Sequence, residues 1–154
     1  RMLIKLGRYL RCLGYDARWS EVSTREAIRA ADREHRVLLT RNTRLGLEMA
    51  FPERCMILED DDPVRQLARV IAELDLDTQS RLFSRCIRCN VELEVAEVSM
   101  GDPRIPEGVL ERHREFFRCP ACATIFWKGS HVANTCRKLG IAPPGLTDPF
   151  RPES

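Results

Sequence analysis

No apolar run in the 154-residue sequence exceeds a few residues, far short of the roughly 20 that a bilayer-spanning helix requires. No membrane partner is therefore expected. The uninterrupted apolar core of a secretory signal is missing too, because arginines break up the N-terminal apolar residues every three or four positions. The expected compartment is the cytoplasm. Internal repeats and low-complexity tracts are absent, which removes collagen and coiled-coil readings. Net charge is nearly absent at +2, so bulk electrostatics gives no argument for a nucleic-acid partner. Lysine is scarce, with only three among 25 lysine-plus-arginine residues. An arginine bias suits bidentate phosphate recognition, although genomic base composition is the simpler explanation.

What is present is enough to build a core. Hydrophobic residues make up 44% and charged residues 31%, ordinary values for one globular domain or a compact domain with a small appended module. Acid is missing locally from residues 1–15, where Arg1, Lys5, Arg8 and Arg11 form a cationic stripe. Seven cysteines are an odd number, and four of them fall in two C-x-x-C pairs. In a cytoplasmic chain this favours a metal over disulfides.

Leu3, Leu6, Leu10 and Leu13 recur at helical spacing before Gly14, predicting an amphipathic helix over residues 2–13. Tyr15–Trp19 reads as a short strand. Ser23 with Glu26 three residues on is a capping box, opening a helix to about His35. Val37–Thr40 and Cys55–Leu58 are compact apolar runs of strand type, separated by helical composition over Thr43–Ala50. Asp62-Pro63 is a strong helix start, because proline tolerates the first helical position and the aspartate can accept the exposed amides. Alternating helices and short apolar strands imply an α/β fold with a mostly parallel sheet over residues 1–82. Such folds usually begin with a strand, so a strand upstream of Arg1 is expected. From Phe83 the texture changes to cysteine pairs and a strand-like Val91–Val98, marking a second module over 83–140. Ser130 is expected to cap a helix over 131–139, and 141–154 reads as an irregular proline-rich tail.

Cys86-Ile-Arg-Cys89 and Cys119-Pro-Ala-Cys122 have the spacing by which a tight turn points two thiolates at one tetrahedral ion. The expected cofactor is Zn²⁺ in a structural role, since four thiolates leave no position for a reactive water. Cys12 and Cys55 lie in apolar contexts and read as core packing; Cys136 has no assigned function.

Functional residues of parallel α/β sheets collect at the carboxyl ends of strands. Here those ends read Thr40-Arg41-Asn42-Thr43 and Glu59-Asp60-Asp61-Asp62. Carboxylates gathered at such an edge can hold Mg²⁺ or Mn²⁺, which activates water for phosphodiester hydrolysis. Asn42 and Asp62 are also ideal N-caps, and from spacing alone capping is the better account. His113, Glu115, Trp127, Lys128 and His131 flank the second cysteine pair and could touch RNA. Phe116, Phe117, Phe126 and Trp127 are more often core than base-stacking platforms.

Met2 to Asp16, Val37 to Asn42, Asp60-Asp61-Asp62-Pro63, Phe83 to Asn90, and Arg112-His113 through Cys119-Pro120-Ala121-Cys122 to His131 together resemble the Mut7-C RNase family. The resemblance implies a PIN-like three-layer sandwich followed by a zinc ribbon, with the acidic sheet edge a divalent-metal site for RNA cleavage. Two departures accompany it. Family members carry an aspartate on a first strand just before the Met-Leu helix, and another where this sequence has Asn42. An amide can still offer an oxygen but lacks the charge that holds a hard cation firmly, which implies activity weakened, lost, or restored by residues upstream. The expected function is thus a metal-dependent ribonuclease with Asp60, Asp61 and Asn42 at the catalytic centre. Arg8, Arg11, Arg41, Lys5, Lys128 and His131 would contact substrate. The alternative is a non-catalytic module binding RNA or a ribonucleoprotein, and a third reading is a ribbon-mediated protein adaptor.

Overall fold

The fold is that of a computed structural model, which describes residues 3–45 and 54–143. The leucine spacing at the N-terminus produces helix α1 (Ile4–Cys12), which buries Leu6 and Leu10 on its apolar stripe. The helix ends where Gly14 takes φ +89°; a side chain there would collide with the Arg81 carbonyl and the Ser84 hydroxyl. Helix α2 (Thr24–Arg33) opens on the expected capping box. Ser23 Oγ accepts the Glu26 amide at 3.3 Å, and the Glu26 carboxylate accepts the Ser23 amide at 3.0 Å.

Strands β1 (Leu38–Thr40) and β2 (Cys55–Ile57) pair in parallel, with Leu38 opposite Cys55 and Thr40 opposite Ile57. Helix α3 (Pro63–Leu74) starts at Asp62, whose Oδ1 accepts the Val64 amide at 3.1 Å. Strand β3 (Glu94–Val95), short helix α4 (Val109–Arg112), strands β4 (Phe116–Arg118) and β5 (Ile125–Trp127), and helix α5 (Ser130–Leu139) complete the described elements. The second sheet is antiparallel in the order β3-β4-β5.

The mixed α/β character and the parallel pairing are as expected. The parallel sheet has two strands among the described residues, fewer than a three-layer PIN-like sandwich needs. Most of the helix expected over Thr43–Ala50 and of the proline-rich tail lies outside the described residues, as does Arg1.

Two local expectations are corrected. Tyr15–Trp19 forms no strand, because side chains from elsewhere take its backbone groups. Arg11 Nε donates to the Ala17 carbonyl at 2.7 Å, the Ala17 amide donates to Asn90 Oδ1 at 3.2 Å, and the Tyr15 amide returns to the Leu10 carbonyl. With those groups satisfied, no ladder is required of the segment. Ser130 is the first residue of α5 and does not cap it; Gly129 takes the N-cap position, with no side-chain cap bond.

One core joins Leu6, Leu10, Leu13, Met56, Leu58, Leu67 and Val70 with Val132, Cys136 and Leu139 of α5, so the last helix folds back against the first unit. A small second core of Ile105, Phe116 and Ile125 lies under the antiparallel sheet.

Candidate functional site

Each cysteine pair closes a tight turn. The Asn90 amide donates to the Cys86 carbonyl at 2.9 Å and the Ala123 amide to the Cys119 carbonyl at 2.8 Å. Both residues following a pair adopt left-handed backbone, with φ 63° at Asn90 and 57° at Ala123. This curls each turn back on itself. The four Sγ atoms of Cys86, Cys89, Cys119 and Cys122 lie within 4.8 Å of one another. Cys86 and Cys122 are 4.0 Å apart, against the roughly 3.8 Å between sulfurs that a tetrahedral zinc with ~2.3 Å bonds imposes. Donor type, number and spacing therefore fit Zn²⁺. Cys122 is pushed down to about 6 by the Thr124 hydroxyl and amide, while Cys89, sharing a proton with Cys122, is pushed up to about 12. A bound cation removes that conflict by replacing the shared protons.

The first cysteine turn is bolted to α1. Arg11 is 5% exposed; its Nη1 donates to the Ile87 and Arg88 carbonyls, both at 2.9 Å, inside the Cys86–Cys89 turn. Its guanidinium stacks 3.8 Å from the Trp19 ring centre. Burial pulls the Arg11 pKa down, against the opposing pull of Asp16 and the Cys86 and Cys89 sulfurs. Asp16 fastens the same turn from outside: its Oδ1 accepts from Asn90 Nδ2 at 2.5 Å and its carboxylate from Arg36 at 2.7 and 2.8 Å. The Arg36 guanidinium is the main reason the Asp16 carboxyl sits well below the usual range. Arg11 was expected on phosphate; its donors instead serve three protein carbonyls, a structural task.

The carboxyl ends of β1 and β2 adjoin, as expected for a sheet edge, yet their acids do not converge. Asp60 Oδ1 accepts the Asp62 amide at 2.8 Å, and Arg65 Nε lies 3.0 Å from Asp60 Oδ2. Asp61 pairs with Arg41 at 2.5 Å. Asp62 is spent on the α3 cap. Asn42 Oδ1 accepts the Arg44 amide at 3.1 Å, a turn of the capping kind. Oxygen donors suit Mg²⁺ or Mn²⁺ in type, but among the described residues only the four cysteines bring three or more candidate ligands together. Among the described residues, the edge as arranged gathers no group of three ligands for a catalytic cation. Sequence reasoning missed Arg65, which bridges Asp60 and Asp62, and Gln66, whose Nε2 holds the Asp60 carbonyl at 2.6 Å while its buried Oε1 has no partner. The only sequence signal for Gln66 was a polar residue placed within the apolar stripe of α3.

The remaining candidate contacts lie on two faces. Lys5 and Arg8 are exposed three residues apart on α1, hence on one side of the helix, and no carboxylate pairs with either among the described residues. Lys138 of α5 stands 6.0 Å over the Tyr9 ring beside them. Lys128 and His131 lie on the ribbon side, with Lys128 Nζ 5.9 Å over the Phe117 ring and His131 edge-on to Trp127 at 6.2 Å.

The described residues form a mixed α/β unit joined to a four-cysteine cluster that can hold a metal ion, as in a zinc ribbon. The Mut7-C RNAse domain family matches residues 1–139, and the chain belongs to that family. No curated protein and no solved structure matches it.

Proposed function

We propose that this chain binds single-stranded RNA through exposed cations and does not itself assemble a catalytic cation site at the β1–β2 edge. The observation that carries this reading is the contrast between the two charged faces. Every carboxylate of Asp60, Asp61 and Asp62 is engaged by an arginine or a backbone amide, whereas Lys5 and Arg8 stand exposed on a helix with no acid in residues 1–15. Counter-ions on such cations are released when phosphates replace them, which drives binding and makes it salt-dependent. Zn²⁺ on Cys86, Cys89, Cys119 and Cys122 holds the ribbon in shape and takes no part in chemistry.

A metal-dependent ribonuclease is the second reading, and one observation favours it. The Asp61 side chain is 83% exposed and Arg65 71%, and exposed ion pairs are worth about 0–1 kcal/mol. Mn²⁺ and RNA can compete with pairs that weak. Incubating zinc-loaded protein with end-labelled oligouridine and Mn²⁺, beside an Asp60→Ala/Asp61→Ala variant, separates the readings. Retained binding with no cleavage by either protein is the result expected. Mn²⁺-dependent product that disappears in the double variant overturns the first reading in favour of the second.

A further inference from the structure

The register of the ribbon sheet divides four aromatic residues between two faces. Directly opposed residues of an antiparallel pair share a face, and successive residues alternate. Phe116 stands opposite Trp127 and Arg118 opposite Ile125. This is the face closed by the small core, where Phe116 is 3% and Ile125 7% exposed and Trp127 packs against the cluster they form. Phe117 stands opposite Phe126, and Val95 of β3 opposite Phe117, so these three occupy the other face. Among the described residues, none of the three packs against a buried residue of either core. Val95 is 82% exposed, and both phenylalanines are partly open to solvent. Lys128 Nζ reaches over the Phe117 ring at 5.9 Å. Glu115 lies two residues before Phe117 on the same parity and forms no ion pair with Lys128 among the described residues.

From this juxtaposition we propose that the open face of β3-β4-β5 is a stacking platform for the bases of single-stranded RNA. Phe117 and Phe126 take adjacent bases, and Lys128 takes the phosphate between them. The proposal rests on the RNA reading above and extends it to a second surface that reads base planes, not charge. Two neighbouring, partly exposed rings on a sheet face that neither core covers among the described residues, with a cation at their margin, match what a flexible strand needs: π-faces for bases that a duplex keeps paired, and a counter-charge for the backbone. An aliphatic protein partner would be served equally by Val95 and the rings but gives no role to the lysine above Phe117, which favours RNA as the occupant. Glu115 opposes the same phosphate and should weaken binding.

The test uses the zinc-loaded chain and fluorescein-labelled oligouridine of about 12 nucleotides, within the span one small fold covers, read by anisotropy at low salt. Phe117→Ala and Phe126→Ala are each expected to weaken binding by about 5- to 150-fold, the loss that one stacked base represents, while Phe117→Tyr restores it. Val95→Asp should weaken binding without touching the core. Met100→Asp, an equally exposed change outside the sheet, should not. Glu115→Gln should tighten binding, and Lys128→Met should lower the slope of log affinity against log salt by about 0.7. An abasic strand of equal length should lose the difference between wild type and Phe117→Ala. Zinc content and circular dichroism equal to wild type confirm that the variants fold. If wild type binds RNA and the phenylalanine variants bind equally well, the platform is wrong and the RNA reading stands. If wild type binds no RNA, both fall, and concentration-dependent self-association lost in Val95→Asp would assign the face to a protein partner.

Discussion

Replacing Arg11 by methionine keeps a long apolar stem in α1 and removes every donor. Three carbonyls then lose a partner: Ala17 at 2.7 Å and Ile87 and Arg88 at 2.9 Å. An unpaired buried acceptor costs about 1–3 kcal/mol, and hydrogen bonds to charged groups lie at the strong end of the range. Ile87 and Arg88 are exposed residues, so water can reach their carbonyls and the low end applies to them. Loss of the guanidinium stacked on Trp19 adds on the order of 1 kcal/mol. The sum is about 4–6 kcal/mol, a large part of the 5–15 kcal/mol that holds a typical domain. Because two of the lost bonds lie inside the Cys86–Cys89 turn, the penalty falls on the metal-holding conformation. Zinc affinity, measured by competition with a chromophoric chelator, should drop about 100-fold or more. Arg11→Lys should recover little, since an ammonium cannot span the planar fork of contacts. Zinc affinity within threefold of wild type, with an unchanged urea midpoint, would refute the reasoning.

Gly14→Ala combines a left-handed backbone with a collision at the Arg81 carbonyl, so it should destabilise by about 2 kcal/mol or more in urea unfolding. Asp16 sits below its ordinary value of 3.8, so its contribution is complete above about pH 5 and is lost as pH falls through the lower native value. The urea-midpoint gap between wild type and Asp16→Asn should be constant from pH 5 to 7 and close below about pH 4. Chelating zinc removes a binding free energy of roughly 10 kcal/mol or more from the ribbon; amide signals of β3 to β5 should collapse toward random-coil positions on chelation and return with Zn²⁺.

What the sequence made legible was local. The leucines of α1, the Ser23-Glu26 box and Asp62-Pro63 each specify a helix from within one or two turns, and two C-x-x-C pairs announce their ligand set by spacing alone. What it hid depends on partners distant in the chain. Tyr15–Trp19 resembles a strand until Asn90 and Arg11 take its backbone groups. Arg11 looks like one more cation of a basic helix, and only the approach of the cysteine turn, more than seventy residues on, converts it into a clamp. Asp60 and Asp61 look like metal ligands as long as Arg41 and Arg65 are not known to face them. Phe116 and Phe117 are indistinguishable until strand register assigns one to the core and the other to the open face.

The central claim is that exposed cations on α1, rather than a cation held by the sheet-edge acids, bring this chain to RNA. Its most direct test is the salt dependence of oligouridine binding by the zinc-loaded protein in buffer freed of other divalent metals beforehand on a chelating resin, with the ribbon zinc verified by metal content, for wild type and Lys5→Ala/Arg8→Ala. The account predicts binding without added divalent metal, and a slope of log affinity against log salt lower by about 1.4 in the double variant, two contacts at ~0.7 each. Binding that requires Mn²⁺, or a slope unchanged by the double variant, would contradict it.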